Sequence, residues 1–218
     1  MFFRAVIIGP PGCGKGTISS FIARDYKVPL IVCGDILREE IRNNTSNGKA
    51  AKKYLEKGHL VPDEVVSKLI LDKLKTFEKK HWLMDGFPRN LKQAVTLSEN
   101  YKISAAINII VPDMVILPRL KTRWVHLASG RTYNDDFNPP KVKGKDDVTG
   151  EDLARRGDDD EEVVLERLSS FRSEIQYVWD FYRQKDLLKE FHGNDSPTIY
   201  SKIQEFLNIY FGKHGYPQ

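Results

Sequence analysis

The chain has 218 residues, 40% of them hydrophobic and 29% charged, with a formal net charge of +4. That length can bury a sizeable core in one domain with inserted lobes, and the balance excludes disordered and fibrous classes. No apolar stretch approaches the length of a membrane span. The two cysteines, Cys13 and Cys33, build neither a secreted disulfide framework nor a metal-type pair, so a reducing compartment is expected.

The first residues, MFFRAVIIGPPG, enter a strand pattern almost at once, and no cleavable presequence is expected. Ala5 to Ile8 reads as a buried strand. The glycine-rich stretch Gly9-Pro10-Pro11-Gly12-Cys13-Gly14-Lys15-Gly16-Thr17 follows, and then a helical pattern carrying Ile18, Phe21 and Ile22. Strand, glycine loop and helix in this order form the context of a phosphate-binding P-loop, and Gly9-x4-Gly14-Lys15-Gly16-Thr17 matches its pattern with one extra glycine before the hydroxyl. Phosphate oxygens need several N–H donors converging on one point, so the backbone must curl tightly, and the following helix aims its free N–H groups at the same place. Lys15 would add charge for the β- and γ-phosphates, and Thr17 a hydroxyl beside a metal ion.

Pro29 to Val32 reads as a second strand ending at Cys33-Gly34-Asp35, with Asp35 expected to cap the next helix. Residues 35–57 are helical by pattern, broken at Asn43 to Gly48. Asp63 is expected to cap a helix reaching about Lys75, with Val65, Val66, Leu69, Ile70 and Leu74 along one face. Trp82 to Met84 reads as a strand running into Asp85-Gly86-Phe87-Pro88-Arg89. A helix from Gln93 to Glu99 and a strand from Ala105 to Val111 follow. Strands alternating with helices at this spacing predict a parallel sheet with helices on both faces, which binds ligands at the carboxyl ends of its strands. The Gly9 loop, Cys33-Gly34-Asp35 and Asp85-Gly86 all fall at such ends.

From Arg123 to about Asp160 glycine, proline, threonine and asparagine dominate. Trp124 to His126, Arg131 to Tyr133 and Asp147 to Thr149 are short β-like pieces, and the whole reads as an inserted flap. Glu161 to Tyr182 is a long helix. Thr198 to Tyr200 either closes a strand or opens a helix, and Lys202 to Phe211 is helical.

Asp85, ending an apolar run beside a phosphate loop, is a candidate to orient Mg²⁺, largely through its water shell. Arg38, Arg89, Arg119, Arg123, Arg156 and Arg167 lie near predicted loop or flap edges. Phosphoryl transfer asks for such positive donors and for no covalent nucleophile. Nucleic-acid binding is disfavoured, because the basic residues are interleaved with acidic ones, as in Asp158-Asp159-Asp160-Glu161-Glu162, and no recognition motif occurs. A nucleotide-operated switch or NTPase would share the P-loop but would not need a second arginine-rich nucleotide lobe.

Taken with these motifs, Gly34-Asp35-Ile36-Leu37-Arg38, Asp85-Gly86-Phe87-Pro88-Arg89 with Gln93, Ser129-Gly130-Arg131-Thr132-Tyr133, Phe137-Asn138-Pro139-Pro140-Lys141 and Asp146-Asp147-Val148-Thr149-Gly150-Glu151 resemble the adenylate kinase family of nucleoside monophosphate kinases over essentially the whole chain. Phe2-Phe3-Arg4-Ala5-Val6-Ile7, His81-Trp82-Leu83-Met84 and Arg123-Trp124-Val125-His126 are most similar to its mitochondrial GTP:AMP phosphotransferase branch. The resemblance implies a P-loop α/β core at residues 1–33, 66–122 and 161–218, a monophosphate-binding lobe at 34–65 and a lid at 123–160. It implies AMP contacts from Cys33, Arg38, Val61, Gly86, Arg89, Gln93, Arg156 and Arg167, with Gln93 reading adenine. Donor contacts would come from Gly12, Cys13, Gly14, Lys15, Gly16, Thr17, Arg119, Arg123, Tyr133 and Asn194. Lys15, Arg89, Arg123, Arg156 and Arg167 would carry catalysis, with Mg²⁺ near Thr17 and Asp85. A monomer in the mitochondrial matrix is implied, with the cytoplasm as the alternative and no membrane or nucleic-acid partner. GTP is favoured as donor, and ATP stays open.

His126-x2-Ser129 and Asp146-x2-Thr149 have the paired spacing of a zinc ribbon. Two hydroxyls are poor zinc ligands, so a hydrogen-bonded quartet without structural zinc is expected. Cys33 replaces the family's usual threonine or serine, a weaker hydrogen-bond partner at a predicted AMP contact.

Overall fold

The computed structural model describes residues 2–55, 61–155 and 160–216. Five parallel strands form the central sheet, in the order β2-β3-β1-β4-β7: β1 (Arg4–Ile8), β2 (Leu30–Val32), β3 (Trp82–Asp85), β4 (Ala105–Ile110) and β7 (Leu188–His192). Side chains of a strand alternate between faces, and β1 shows the consequence. Ala5 and Ile7 enter one apolar cluster with Ile18 and Ile22 of α1 (Lys15–Tyr26) and Ile203, Leu207 and Phe211 of α8 (Ser196–His214). Val6 and Ile8 enter a second cluster on the opposite face. There they meet Ile70 and Leu74 of α4 (Asp63–Lys75), Ala94 and Leu97 of α5 (Leu91–Asn100), and Val178 and Tyr182 of α7 (Glu161–Arg183). Ile18 and Ile22 are fully buried, so truncating either to alanine should cost about 2–5 kcal/mol.

Register determines where the loops emerge. Ile7 lies opposite Asp85, and Val32 lies opposite Asp85 from the other side. The segments after β1, β2 and β3 therefore open together at the carboxyl ends of the strands, as expected. The strand β7 has no counterpart in the sequence reading. Its LKEFH segment pairs only with β4, and Phe191 alone of its five side chains is buried. Thr198 to Tyr200 opens α8, which starts at Ser196 with Asp195 accepting from the Thr198 N–H at 2.8 Å.

Three predicted helix starts shift. Helix α2 (Cys33–Arg42) begins before Asp35, which lies in its first turn and makes no cap. Asp63 is the first residue of α4 behind Pro62, and it too makes no cap bond. Asn90 caps α5, accepting from the Gln93 N–H at 2.9 Å. The expected break narrows to residues 43–45, because α3 (Ser46–Leu55) already includes Ser46, Asn47 and Gly48.

Beyond α6 (Asp113–Lys121), β5 (Arg123–Val125) and β6 (Thr132–Asn134) form a separate antiparallel pair. Asp147 to Thr149 is not β structure. It is a turn around Asp146, whose Oδ2 accepts from the N–H groups of Val148 and Thr149 at 3.1 and 2.8 Å. The Ser129–Arg131 turn comes down on the start of α2: a Cβ on Gly130 would stand 3.2 Å from an Asp35 oxygen. Among the described residues no helix is long and apolar enough to cross a membrane.

Candidate active site

Between β1 and α1 the backbone makes two turns that only glycine tolerates well. Gly12 and Gly14 have φ of 80° and 94°, and Gly14 is the N-cap of α1. A side chain on Gly14 would also collide with Ser196. The first turn of α1 contains no acidic residue, and no side chain caps it. Its N–H groups, which no helical turn can satisfy, point into the loop. Lys15 arches over the same loop, donating from Nζ to the carbonyls of Gly9 and Pro10, each at 2.7 Å. Cys13 lies beneath with its sulfur 3.7 Å from that ammonium. Burial pushes its thiol up, against the opposing pull of Lys15.

Asp85 is buried at the end of β3, and a Cβ on Gly16 would be 4.0 Å from its Oδ2. This carboxylate thus flanks the turn of α1 that carries Thr17. Hard oxygen donors of this kind suit Mg²⁺, which keeps several waters and takes one or two protein oxygens beside phosphate. The described residues contain no group of three or more His, Cys, Asp or Glu disposed to hold a metal by themselves.

The next residue along, Gly86, faces a second cavity. Cys33, Leu37, Val61, Val66, Gly86, Arg89 and Gln93 line it, so five of the predicted AMP residues meet around one space. Four of the seven, Cys33, Leu37, Val61 and Val66, give it an apolar wall. Burial pushes the Cys33 thiol up to about 11, partly countered by the Arg89 guanidinium. Arg89 is braced by donation from Nε to the Gly86 carbonyl at 2.8 Å. Gln93 is held at both ends of its amide: Oε1 accepts from the Arg89 N–H at 2.8 Å, and Nε2 donates to Asp63 Oδ1 at 2.7 Å. Arg38 is not among the lining residues; it pairs with Asp35 one turn into α2, close over Gly34.

On the other side of the phosphate loop, Arg119 is buried near the end of α6. It donates to the Asn194 carbonyl at 2.6 Å, and its guanidinium sits 4.4 Å from the centre of the Phe137 ring. Its Nε has no hydrogen-bond partner among the described residues, and burial lowers its affinity for its proton. The predicted pair Arg119 and Asn194 is thus in contact. Phe137, named from the sequence only within a family motif and given no site role there, joins them. Arg123 opens β5, and Arg167 lies in α7. Arg156, Asp158 and Asp159 lie outside the described residues.

Tyr133 is buried inside the β5–β6 region. Its hydroxyl donates to Asp146 at 2.9 Å and accepts from the Asp147 N–H at 2.9 Å. The paired spacing seen in the sequence forms hydrogen bonds: His126 Nδ1 with Ser129 at 2.7 Å, and Thr149 to Asp146 at 3.0 Å. Two further residues complete the knot. Arg131 donates twice to Asp146, at 2.8 and 2.7 Å, and Glu151 bonds His126 Nε2.

Comparison with known proteins bears on the family. The family model of adenylate kinase matches residues 7–187. The mitochondrial GTP:AMP phosphotransferase of Drosophila melanogaster is 46% identical over 206 residues, covering 94% of this chain and 95% of that protein. Phosphate loop, parallel sheet and similarity of this extent lead to one assignment: the chain belongs to the adenylate kinase family and is a phosphotransferase.

Proposed function

We propose that this protein is a nucleoside monophosphate kinase that transfers the γ-phosphoryl group of GTP to AMP, reversibly and with Mg²⁺, giving GDP and ADP. The observation that carries this reading is the juxtaposition at the end of β3. Asp85 flanks the phosphate loop, and its neighbour Gly86 lines a separate cavity with Arg89 and Gln93. Two nucleotide sites that share adjacent residues of one strand can present a donor and an acceptor phosphate to each other. Holding them in line is most of what phosphoryl transfer requires. The choice of GTP rests on the name of the Drosophila relative and on the branch-like motifs.

In this reading Gly12 to Thr17 cradle the donor phosphates, and Lys15 exchanges its two carbonyl partners for phosphate oxygens. Thr17 and Asp85 would hold Mg²⁺, mainly through water, and the ion when bound neutralises charge on the donor phosphates. Arg119, with Asn194, supports the donor base. Cys33, Val61 and Gln93 form the acceptor base slot, and Arg38 and Arg89 hold its phosphate. Arg123, Arg156 and Arg167 surround the group in transfer. Residues 1–33, 66–122 and 161–218 serve as the core, 34–65 as the monophosphate lobe and 123–160 as the lid, whose closure keeps water from the reacting phosphoryl. The relative is named as mitochondrial, and we place this chain in the matrix, as a monomer.

A coupled assay of AMP phosphorylation with Mg·GTP, Mg·ATP and Mg·ITP tests the proposal. Preference for GTP and ITP is expected. Preference for ATP would reassign the donor, and triphosphate hydrolysis indifferent to AMP would overturn the kinase reading.

A further inference from the structure

The second cavity contains one polar side chain whose orientation is chemically determined. A glutamine amide is nearly symmetric in shape, and only its partners decide which end carries oxygen. At Gln93 the partners leave no choice. The Arg89 backbone N–H can only donate, so it selects the amide oxygen, at 2.8 Å. The Asp63 carboxylate accepts, so it selects the amide nitrogen, at 2.7 Å. The same Asp63 oxygen accepts from Asn90 Nδ2 at 2.9 Å, and Asn90 in turn caps the helix that carries Gln93. Gln93 itself is 2% exposed, in a wall otherwise built largely from apolar side chains.

Each end of the amide has capacity for one more bond, a carbonyl lone pair and an N–H. With both ends locked, the edge offered to a base has a fixed polarity. A 6-aminopurine brings a donor at its amino group and an acceptor at N1. A 6-oxopurine in the same seat brings an acceptor at O6 and a donor at N1, and would need the amide reversed. Reversal would turn the amide N–H₂ toward the Arg89 N–H and the oxygen toward the Asp63 carboxylate, two repulsive contacts at a buried site.

We infer that Asp63 is a positioning residue for acceptor specificity: it locks the Gln93 amide in the sense that accepts a 6-aminopurine monophosphate and rejects a 6-oxopurine one. The inference rests on the reading of this cavity as the acceptor base slot. Asp63 acts through Gln93 and does not touch the nucleotide. Read from the sequence alone, Asp63 was a helix cap; its side chain in fact reaches across from α4 to α5.

The test uses the full-length enzyme with Mg·GTP as donor. The acceptors are AMP, IMP and purine riboside 5′-monophosphate, which lacks any 6-substituent. Asp63→Leu removes the acceptor at similar bulk, and Asp63→Asn keeps one oxygen. Expected for Asp63→Leu is a fall of about tenfold or more in the AMP:IMP ratio of kcat/KM, carried mainly by KM for AMP. KM for GTP should stay within about twofold, kcat/KM for the purine riboside compound, which keeps the N1 acceptor but has nothing at position 6, should fall less than that for AMP, and Asp63→Asn should restore most of the ratio. If Asp63→Leu lowers all three acceptors equally, Asp63 merely supports the fold and the inference fails. If Asp63→Leu does not fold, Asp63→Ser, whose hydroxyl stops short of Gln93, is judged by the same ratios. Gln93→Leu separates the two levels. Should it leave the AMP to purine riboside ratio unchanged, the cavity is not the base slot and both readings fall. Should it abolish that ratio while Asp63→Leu and Asp63→Ser leave AMP:IMP intact, only the role of Asp63 is refuted.

Discussion

The phosphate loop and the knot around Asp146 are both dense in polar groups, yet they are built on opposite terms. In the loop the helix N–H groups have no acidic cap, and Lys15 leans on two backbone carbonyls that a phosphate can displace. Around Asp146 the pairing is internal. Arg131, Tyr133, Thr149 and two backbone N–H groups converge on a carboxylate whose side chain is fully buried. A polar cluster with unmet donors is a site, whereas one that is saturated is a brace. The spacing of His126, Ser129, Asp146 and Thr149 imitates a metal ribbon, but their hydrogen bonds are already directed at one another.

The sharpest way to break that contrast is Lys15→Met. Removing a charged donor aimed at the transferring group should cost about 3–4 kcal/mol in the transition state, a loss of about 10²–10³ in kcat, with thermal stability close to wild type. Retention of most of the turnover would show that the loop is not the catalytic phosphate site.

Next in size is Arg119→Met, which should raise KM for the triphosphate about tenfold through loss of a desolvated cation–π surface, and leave KM for AMP unchanged. An equal effect on both substrates would place Arg119 between the sites instead of at the donor base.

The brace should respond in stability, not in chemistry. Asp146→Asn is expected to lower the melting temperature and to speed hydrogen exchange in β5 and β6, with KM for AMP little changed. The Arg131 guanidinium, ahead of the other partners, holds the Asp146 carboxyl well below the usual carboxylate range. A folded-state value below the unfolded one contributes stability that is fully present above about pH 4, the unfolded aspartate value, and is lost as pH falls below it. The difference in melting temperature between wild type and Asp146→Asn should therefore be level from neutral pH to about 4 and shrink below. A difference that grows on acidification would contradict the saturated knot.

The smallest effect concerns the cysteines. With the Cys33 thiol pushed up to about 11 by burial, alkylation by iodoacetamide at pH 8 should be slow and should rise steadily to pH 10, as followed by mass spectrometry. Rapid labelling at neutral pH would mean that the cavity lined by Cys33, Arg89 and Gln93 opens far more than its buried wall implies.

Much of this was legible along the chain because the causes are local. Apolar run, glycines and helix pattern all lie within about twenty consecutive residues, and strand ends bearing Asp85 and Cys33 follow from the alternation of elements. Asp63, by contrast, follows a proline at a helix start, which in sequence reads as a cap. Only packing α4 against α5 turns its carboxylate to Gln93. Asp147 to Thr149 looked β-like by composition, but a side-chain acceptor next to them, Asp146, competes for their N–H groups and bends them into a turn.

By itself the sequence determined the phosphate loop, the parallel α/β class and the family, since each depends on neighbouring residues or on motifs in a fixed order. Tertiary structure alone decided three other matters: that LKEFH is the edge strand β7, that Asp85 flanks the phosphate loop while Gly86 lines a separate cavity, and that Gln93 has one orientation. An edge strand buries little and so carries a weak apolar signal, and its partner β4 is some eighty residues distant. The polarity of an amide is likewise settled by acceptors and donors brought in from elsewhere in the fold.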